Sequence, residues 1–182
     1  MFIGIIMLFF YIKSYYGEVE FVKSKKDSQY YLVRKLPDKQ QAADLISSLA
    51  DDLDKLVKHM VAKYPDNPDV KRLYKNFNKN NISEGSPDSG YTSYSVNKGE
   101  KIVLCVRQKD EKQSFVERNV LMYVSVHELA HLMTEDIGHT PTFWSNFKFL
   151  LTEAVEIKLY KKVDYSKQPA PFCGIKVSSS VI

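Results

Sequence analysis

The sequence predicts an α+β fold in which a small β-sheet packs on a long N-terminal helix and on a second, more apolar helix. Two observations predict this fold: short alternating segments typical of strands, and two longer segments whose apolar residues keep helical spacing. The chain has 182 residues, of which 44% are hydrophobic and 26% charged, as expected for one globular domain. Its net charge of +4 comes from scattered lysines, so nucleic-acid binding is not indicated. Cys105 and Cys173 form no CxxC pair, which leaves reduced thiols as the default and a single disulfide as the alternative.

The first sixteen residues differ in character from the rest of the chain. The run from Met1 to Ile12 carries no charge, and the tyrosines that follow it suit a lipid headgroup layer. A spanning helix needs about 20 apolar residues, and a signal peptide needs a basic start and a cleavage site, neither of which is visible. Burial within the domain remains an alternative. The sequence predicts a membrane anchor at residues 1–16 and a domain at 17–182, on the cytoplasmic side because lysines follow the anchor.

The first half of the domain is predicted to contain a hairpin and two helices. Residues 18–21 and 29–33 alternate as strands do, with a polar run between them. A long helix follows, from about Asp38 to Tyr64, where its three-and-four apolar spacing ends at a proline. A shorter helix is predicted for residues 68–77.

The second half is predicted to contain a second hairpin and two further helices. Residues 91–96 and 101–107 are typical of two strands joined by a tight turn. Ser114 and Glu117 have the spacing of a capping box, ahead of one buried helix at 120–133. Thr140 and the proline after it are expected to start the last helix, and the tail from Val163 is expected to be irregular.

The segment His127-Glu128-Leu129-Ala130-His131 carries the chemistry of the chain. Positions four apart lie about 40° apart on one helix face, so both imidazoles can hold the same metal ion. Glu128 lies beside the first histidine and can reach a water molecule at the metal without being a ligand. Because the rest of this helix is apolar, two histidines and a glutamate would be costly there unless they had a partner. The pattern therefore favours a metal site over two histidines satisfied in a core.

A catalytic zinc site needs three protein ligands and an open position. His139 is the favoured third ligand, since it follows Gly138 and precedes the helix start at Thr140. A short loop of this kind can fold the imidazole back onto the first two. Glu153, on the following helix, is the rival, because some zinc peptidases take a downstream helical glutamate. In that arrangement His139 would be a donor to the transition state. The sequence thus predicts one zinc ion per chain.

The segment HELAHLMTEDIGHTPTFW resembles the core of the compact zincins related to the WLM and SprT-like families. Their pattern is a HELxH helix followed by a Gly/Asn-His-x-x-x-Phe-(Trp) segment, whose histidine is the third zinc ligand. The resemblance implies a zincin-like fold with zinc ligands His127, His131 and His139, the catalytic base Glu128, and the packing pair Phe143 and Trp144. It also implies that an upstream strand, with residues 101–107 as the candidate, lines the substrate cleft. With its short apolar anchor and a body rich in Lys, Asn and Tyr, the chain further resembles zincins of large DNA viruses, for which the virion is an alternative location.

These features predict a zinc metalloendopeptidase that acts on a protein or peptide substrate. Zinc would activate a water molecule and Glu128 would serve as general base, with Tyr165 as a candidate donor to the oxyanion. Two other interpretations stay open. One is a virion or membrane-associated protein that keeps a zincin fold without turnover, against which the intact Glu128 argues. The other is a repair-type protease associated with nucleic acid, which a basic or aromatic tail would support.

Overall fold

The computed structural model describes residues 17–86 and 90–182. The elements of the first half are β1 (Val19–Lys23), β2 (Tyr30–Arg34), α1 (Lys39–Lys63), α2 (Pro68–Asn76), a short 3-10 turn (Lys79–Asn81) and β3 (Ile82–Glu84). Those of the second half are β4 (Tyr94–Val96), β5 (Lys101–Leu104), α3 (Arg118–Met133), α4 (Pro141–Glu156), β6 (Ala170–Phe172) and β7 (Ile175–Val177). This mixed architecture confirms the predicted α+β class.

The described strands form three small sheets. Strands β1 and β2 pair antiparallel, as the alternating pattern predicted. The central sheet has the order β3-β5-β4, with β3 parallel and β4 antiparallel to β5. Strand β4 therefore lies at an edge of this sheet, where it packs against α3. Strands β6 and β7 form a hairpin in the tail, so the prediction of an irregular tail was wrong for this part.

The hydrophobic core lies where α1, α3 and α4 pack on one another. Helix α3 is apolar on nearly all sides, and Val126, Leu129 and Ala130 are each 0% exposed. Phe143 and Phe147 of α4 are buried against it. Full burial of a side chain of this size contributes roughly 1.5–3 kcal/mol. The helix that carries the two histidines is thus fixed on every side except the one that faces solvent.

The predicted capping box before α3 is wrong. The helix begins at Arg118, and the carboxylate of the N-cap residue Glu117 accepts the Val120 N–H at 3.0 Å. Ser114 does not cap the helix, since it lies four residues before the first helical residue and its carbonyl accepts the Gln108 N–H at 2.8 Å. The N-cap at Thr140 is as predicted: its hydroxyl accepts the Phe143 N–H.

Cys105 and Cys173 are joined in a disulfide. The structure therefore has the alternative that the sequence left open and not the expected reduced thiols. The bond links the chain just after β5 to the turn between β6 and β7. The Gln108 side chain strengthens this link, because it donates to the Pro171 carbonyl and accepts the Cys173 N–H, both at 3.0 Å. Closing a loop of 68 residues stabilises a fold by about 4 kcal/mol in the chain-entropy description.

The predicted membrane anchor requires a correction. Among residues 17–86 and 90–182, no helix combines the length and the apolar character needed to cross a bilayer. This finding contradicts the predicted transmembrane helix and the membrane location of the domain, and we do not retain them. The prediction depended on residues 1–16, which lie outside the described residues, and its uncharged run of twelve residues falls short of the ~20 that a span requires.

Candidate metal centre

Helix α3 presents His127 and His131 side by side. The two residues are one turn apart, and their ring centroids lie 5.0 Å from each other. Glu128 follows His127 and is only 4% exposed, although it still lines the cleft in front of the histidines. The helical spacing therefore places two imidazoles and one carboxylate where the sequence predicted them.

The loop between α3 and α4 brings His139 to this pair. Gly138 has φ 87°, a left-handed conformation that glycine adopts without steric cost, and it turns the chain just before the histidine. The Nε2 atoms of His139 and His127 are 3.0 Å apart. One ligand nitrogen from each of His127, His131 and His139 lies within 4.8 Å of the other two.

Two aromatic side chains of α4 hold the three imidazoles in place. The Phe143 ring is fully buried, with its centroid 4.9 Å from that of His127, 4.3 Å from that of His131 and 4.7 Å from that of His139. The Trp144 ring stacks on His139 with centroids 5.6 Å apart. Both contacts agree with the packing roles that the resemblance implied for this pair.

The three imidazoles fit a zinc ion by their chemistry. Burial lowers the pKa of His127 to about 3, and the neighbouring His131 and His139 lower it further. Burial also lowers the pKa of His131 to about 4, together with His139 and Lys98. Both rings are therefore neutral at pH 7, which is the state in which imidazole binds zinc. Three imidazole nitrogens beside an open cleft match the donor set of a catalytic zinc site.

The carboxyl group of Glu128 is held close to its titration point. Burial raises its pKa to about 7, while a hydrogen bond from the Ser95 hydroxyl acts in the opposite direction. A general base works best when its pKa lies near the working pH. Ser95 comes from β4, and no local pattern of residues indicated its role because the contact joins two separate elements.

The cleft in front of the histidines has a volume of about 530 Å³. One side is formed by β4 and the turn after it, and the other by the loop before α4, with Ile137 at its rim. The prediction that residues 101–107 line the cleft was wrong. Strand β5 occupies the centre of its sheet, so its neighbour β4 faces the histidines instead. Lys98 also lines the cleft and was not singled out from the sequence.

Two predicted candidates lie away from the three histidines. Glu153, the rival ligand, contacts His59, Lys63 and Tyr64, so it belongs to a separate cluster between α1 and α4. Tyr165, the candidate donor to the oxyanion, is buried with its ring 5.2 Å from that of Tyr123. It lines a different pocket, at the start of α3.

The chain is similar to several known proteins. Residues 25–179 match the WLM domain. The uncharacterized protein R325 of Acanthamoeba polyphaga mimivirus is 32% identical over 180 residues, which cover 97% of this chain and 91% of that protein. The uncharacterized protein 042R of Invertebrate iridescent virus 3 is 44% identical over 64 residues, or 35% of this chain and 38% of that protein.

A solved structure shows the same fold. The crystal structure of Wss1 from Saccharomyces cerevisiae superposes with a TM-score of 0.53, covering 68% of this chain and 84% of that one at 23% identity. The predicted resemblance to the WLM family and to viral proteins is confirmed by these matches. The chain belongs to the WLM domain family, a family of zinc-dependent metalloproteases.

Proposed function

We propose that residues 17–182 form a zincin-like metallopeptidase domain that binds one zinc ion and hydrolyses peptide bonds in protein substrates. In this proposal His127, His131 and His139 hold the zinc ion, and Glu128 is the general base. One observation carries the proposal: three ring nitrogens within 4.8 Å of one another stand beside a buried carboxylate at an open cleft. A purely structural zinc site would have no use for such a carboxylate.

The chemistry follows from the positions of these groups. Zinc, when bound, supplies a Lewis acid that activates water and polarises the peptide carbonyl. Glu128 takes a proton from the attacking water at its carboxylate and returns it to the leaving amine. The Ser95 hydroxyl orients that carboxylate. The hydrophobic packing of α3 keeps the base fixed during both transfers.

The cleft suits an extended polypeptide. Strand β4 lies at the edge of the central sheet and forms one side of the cleft, so a substrate segment can align with it as an added strand. Such an alignment would carry one peptide bond of the substrate past Glu128. Main-chain pairing of this kind recognises an extended backbone more than a particular sequence.

The proposal is tested by Glu128→Gln. This change should leave folding and metal content intact and lower the hydrolysis of casein or a peptide library by several orders of magnitude, because the base is lost. Glu111→Gln, at an exposed glutamate outside the cleft, serves as the matched control and should cleave like the unaltered protein. Equal cleavage by Glu128→Gln would rule out the proposed mechanism. Zinc binding without any cleavage by the unaltered protein would favour a non-catalytic role.

Family membership favours a more specific substrate class. The WLM family includes proteases that act on DNA–protein crosslinks. We therefore propose proteins bound covalently to DNA as a second candidate substrate. A comparison of the same protein substrate, free and crosslinked to an oligonucleotide, tests this. Faster cleavage of the crosslinked form supports it, and equal rates contradict it while leaving general peptidase activity in place.

A further inference from the structure

The turn between β4 and β5 reaches the end of the helix that carries the two histidines. Asn97, Lys98 and Gly99 all have positive φ, at 46°, 55° and 113°. Gly99 packs so tightly that a Cβ atom there would lie 2.2 Å from the Asn76 carbonyl oxygen. This close approach places the Lys98 side chain beneath the C-terminus of α3.

The Lys98 ammonium group binds three backbone carbonyls. Its Nζ donates to the carbonyl oxygens of Thr134 and Asp136, each at 2.7 Å, and to that of His131 at 3.3 Å. The first two belong to the loop that leads to His139. The third belongs to one of the proposed zinc ligands. A single side chain therefore joins the helix of His131 to the loop of His139.

Other side chains cap the same helix end without binding the loop backbone. The Asn76 amide donates to the Leu132 carbonyl at 3.0 Å, and Arg72 donates to the Met133 carbonyl at 3.0 Å. The loop itself has three side-chain contacts, from Asn146 to Thr134, from Thr140 to Asp136 and from Arg72 to Glu135. In residues 17–86 and 90–182, the hydrogen bonds from side chains to the loop carbonyls come from Lys98.

The loop has little apolar burial of its own. Residues 135–139 are all exposed, and Ile137 is 92% exposed. A segment of this kind depends on polar contacts for its order. A metal site gains affinity when its ligands are fixed before the ion binds.

We infer that Lys98 is a positioning residue of the metal centre, holding the loop so that His139 faces His127 and His131. This inference depends on the proposed function, because it assumes that the three histidines bind zinc. If Lys98 positions the loop, its removal should weaken zinc binding. Charge repulsion alone predicts the opposite, because a cation near a zinc ion weakens the binding of zinc and its removal would strengthen it. The sign of the change in affinity therefore separates the two effects.

The test compares the variants Lys98→Met and Asn76→Ala by chelator competition for zinc and by thermal unfolding. Both changes remove hydrogen bonds from the same helix end, but only the first removes hydrogen bonds to the loop backbone. Lys98→Met should weaken zinc binding by about 10–100-fold, as the loss of an outer partner of a ligand does. Asn76→Ala should lower the melting temperature and leave zinc affinity unchanged.

A cobalt-substituted protein gives a second readout. The visible absorption spectrum of Co²⁺ in Lys98→Met should move towards that of His139→Ala, because the loop that carries the third imidazole has lost its backbone hydrogen bonds to Lys98. Unchanged or tighter zinc binding by Lys98→Met, or an equal loss of affinity in Asn76→Ala, would overturn the inference. Should Lys98→Met fail to fold, Lys98→Gln takes its place with the same outcomes. Absence of metal binding in the unaltered protein would instead refute the proposed function.

Discussion

Two clusters of possible metal ligands contact α4, one near its start and one near its end, and they differ in charge. The first contains His127, His131 and His139, and the second contains His59, Glu153 and Glu156. In each cluster the potential ligand atoms lie within 4.8 Å of one another. Residue type and distance therefore describe both as candidate cation sites. Their electrostatics separate them.

The second cluster already contains a cation. The Lys63 ammonium group lies 2.9 Å from Glu153 and 2.6 Å from Glu156, while His59 contacts Glu153 at 2.7 Å. Hydrogen bonds to Glu156 and Glu153 raise the pKa of Lys63, so this group stays charged. The first cluster consists of three imidazole rings facing a cleft, and burial lowers the pKa of two of them, His127 and His131. A cluster of possible ligands is a candidate metal site when no cationic side chain pairs with its ligand atoms. It is a structural ion network when such a side chain already pairs with them, as Lys63 does here.

The largest expected difference between the clusters is in metal content. His127→Ala removes one of three ligands and should abolish the one zinc ion expected per chain, because two imidazoles hold zinc far more weakly than three. His59→Ala, the matched change in the second cluster, should leave the zinc content unaltered. Elemental analysis of both purified variants measures this. Zinc retained in His127→Ala, or lost in His59→Ala, would reverse the assignment.

The next comparison separates the two candidates for the third ligand. His139→Ala should lose zinc under mild chelation, since it removes a nitrogen that lies 3.0 Å from His127. Glu153→Gln should keep zinc, because the Glu153 carboxylate is engaged by Tyr64 and Lys63. A chelator titration of both variants decides the question. If Glu153→Gln loses zinc while His139→Ala retains it, the third ligand is the helical glutamate Glu153 and the assignment of His139 is wrong.

Sequence reasoning reached most local features of the molecule, except the cap of α3 and the hairpin in the tail, and missed the long-range ones. The bounds of α1 and α4 followed from apolar spacing and from the Thr140-Pro141 start, and the helical step placed His127 beside His131. The order of the strands in the central sheet did not follow from local patterns. The cleft strand was therefore predicted to be β5, whereas in the structure it is β4.

The missed contacts have the same cause. The pairing of Cys105 with Cys173 spans 68 residues, and the Lys63–Glu153 pair joins two helices that are far apart in the sequence. Lys98 acts through backbone carbonyls, which leave no trace in side-chain motifs. The sequence also did not indicate that His59 is half-buried, because its partner Glu153 lies on another helix. Tertiary packing determines all four, and no periodicity encodes it.

A smaller effect is expected when the cation of the second cluster is removed. Lys63→Met leaves two carboxylates and one imidazole without their ammonium partner, so the melting temperature should fall by a few degrees. The same change should create a weak second site for divalent cations, which Lys63 otherwise occupies. Zinc titration should then show a second, weaker equivalent in this variant alone. No fall in melting temperature and no second equivalent would mean that Lys63 contributes nothing to the cluster.

The smallest effect concerns the acid dependence of the second cluster. Burial acts to raise the pKa of Glu153, but hydrogen bonds from Tyr64, His59 and Lys63 outweigh it and lower the pKa. A carboxyl group with a lowered pKa in the folded state stabilises the fold above its unfolded pKa of about 4.3. That contribution is lost as the pH falls through the lower folded pKa. Melting temperatures of the unaltered protein and Glu153→Gln should therefore differ most near pH 7 and converge below pH ~4. Loss of zinc in acid affects both proteins equally and cancels in the difference. A gap that widens as the pH falls would mean that Glu153 is held protonated, and the second cluster would then lack the charge that distinguishes it from the first.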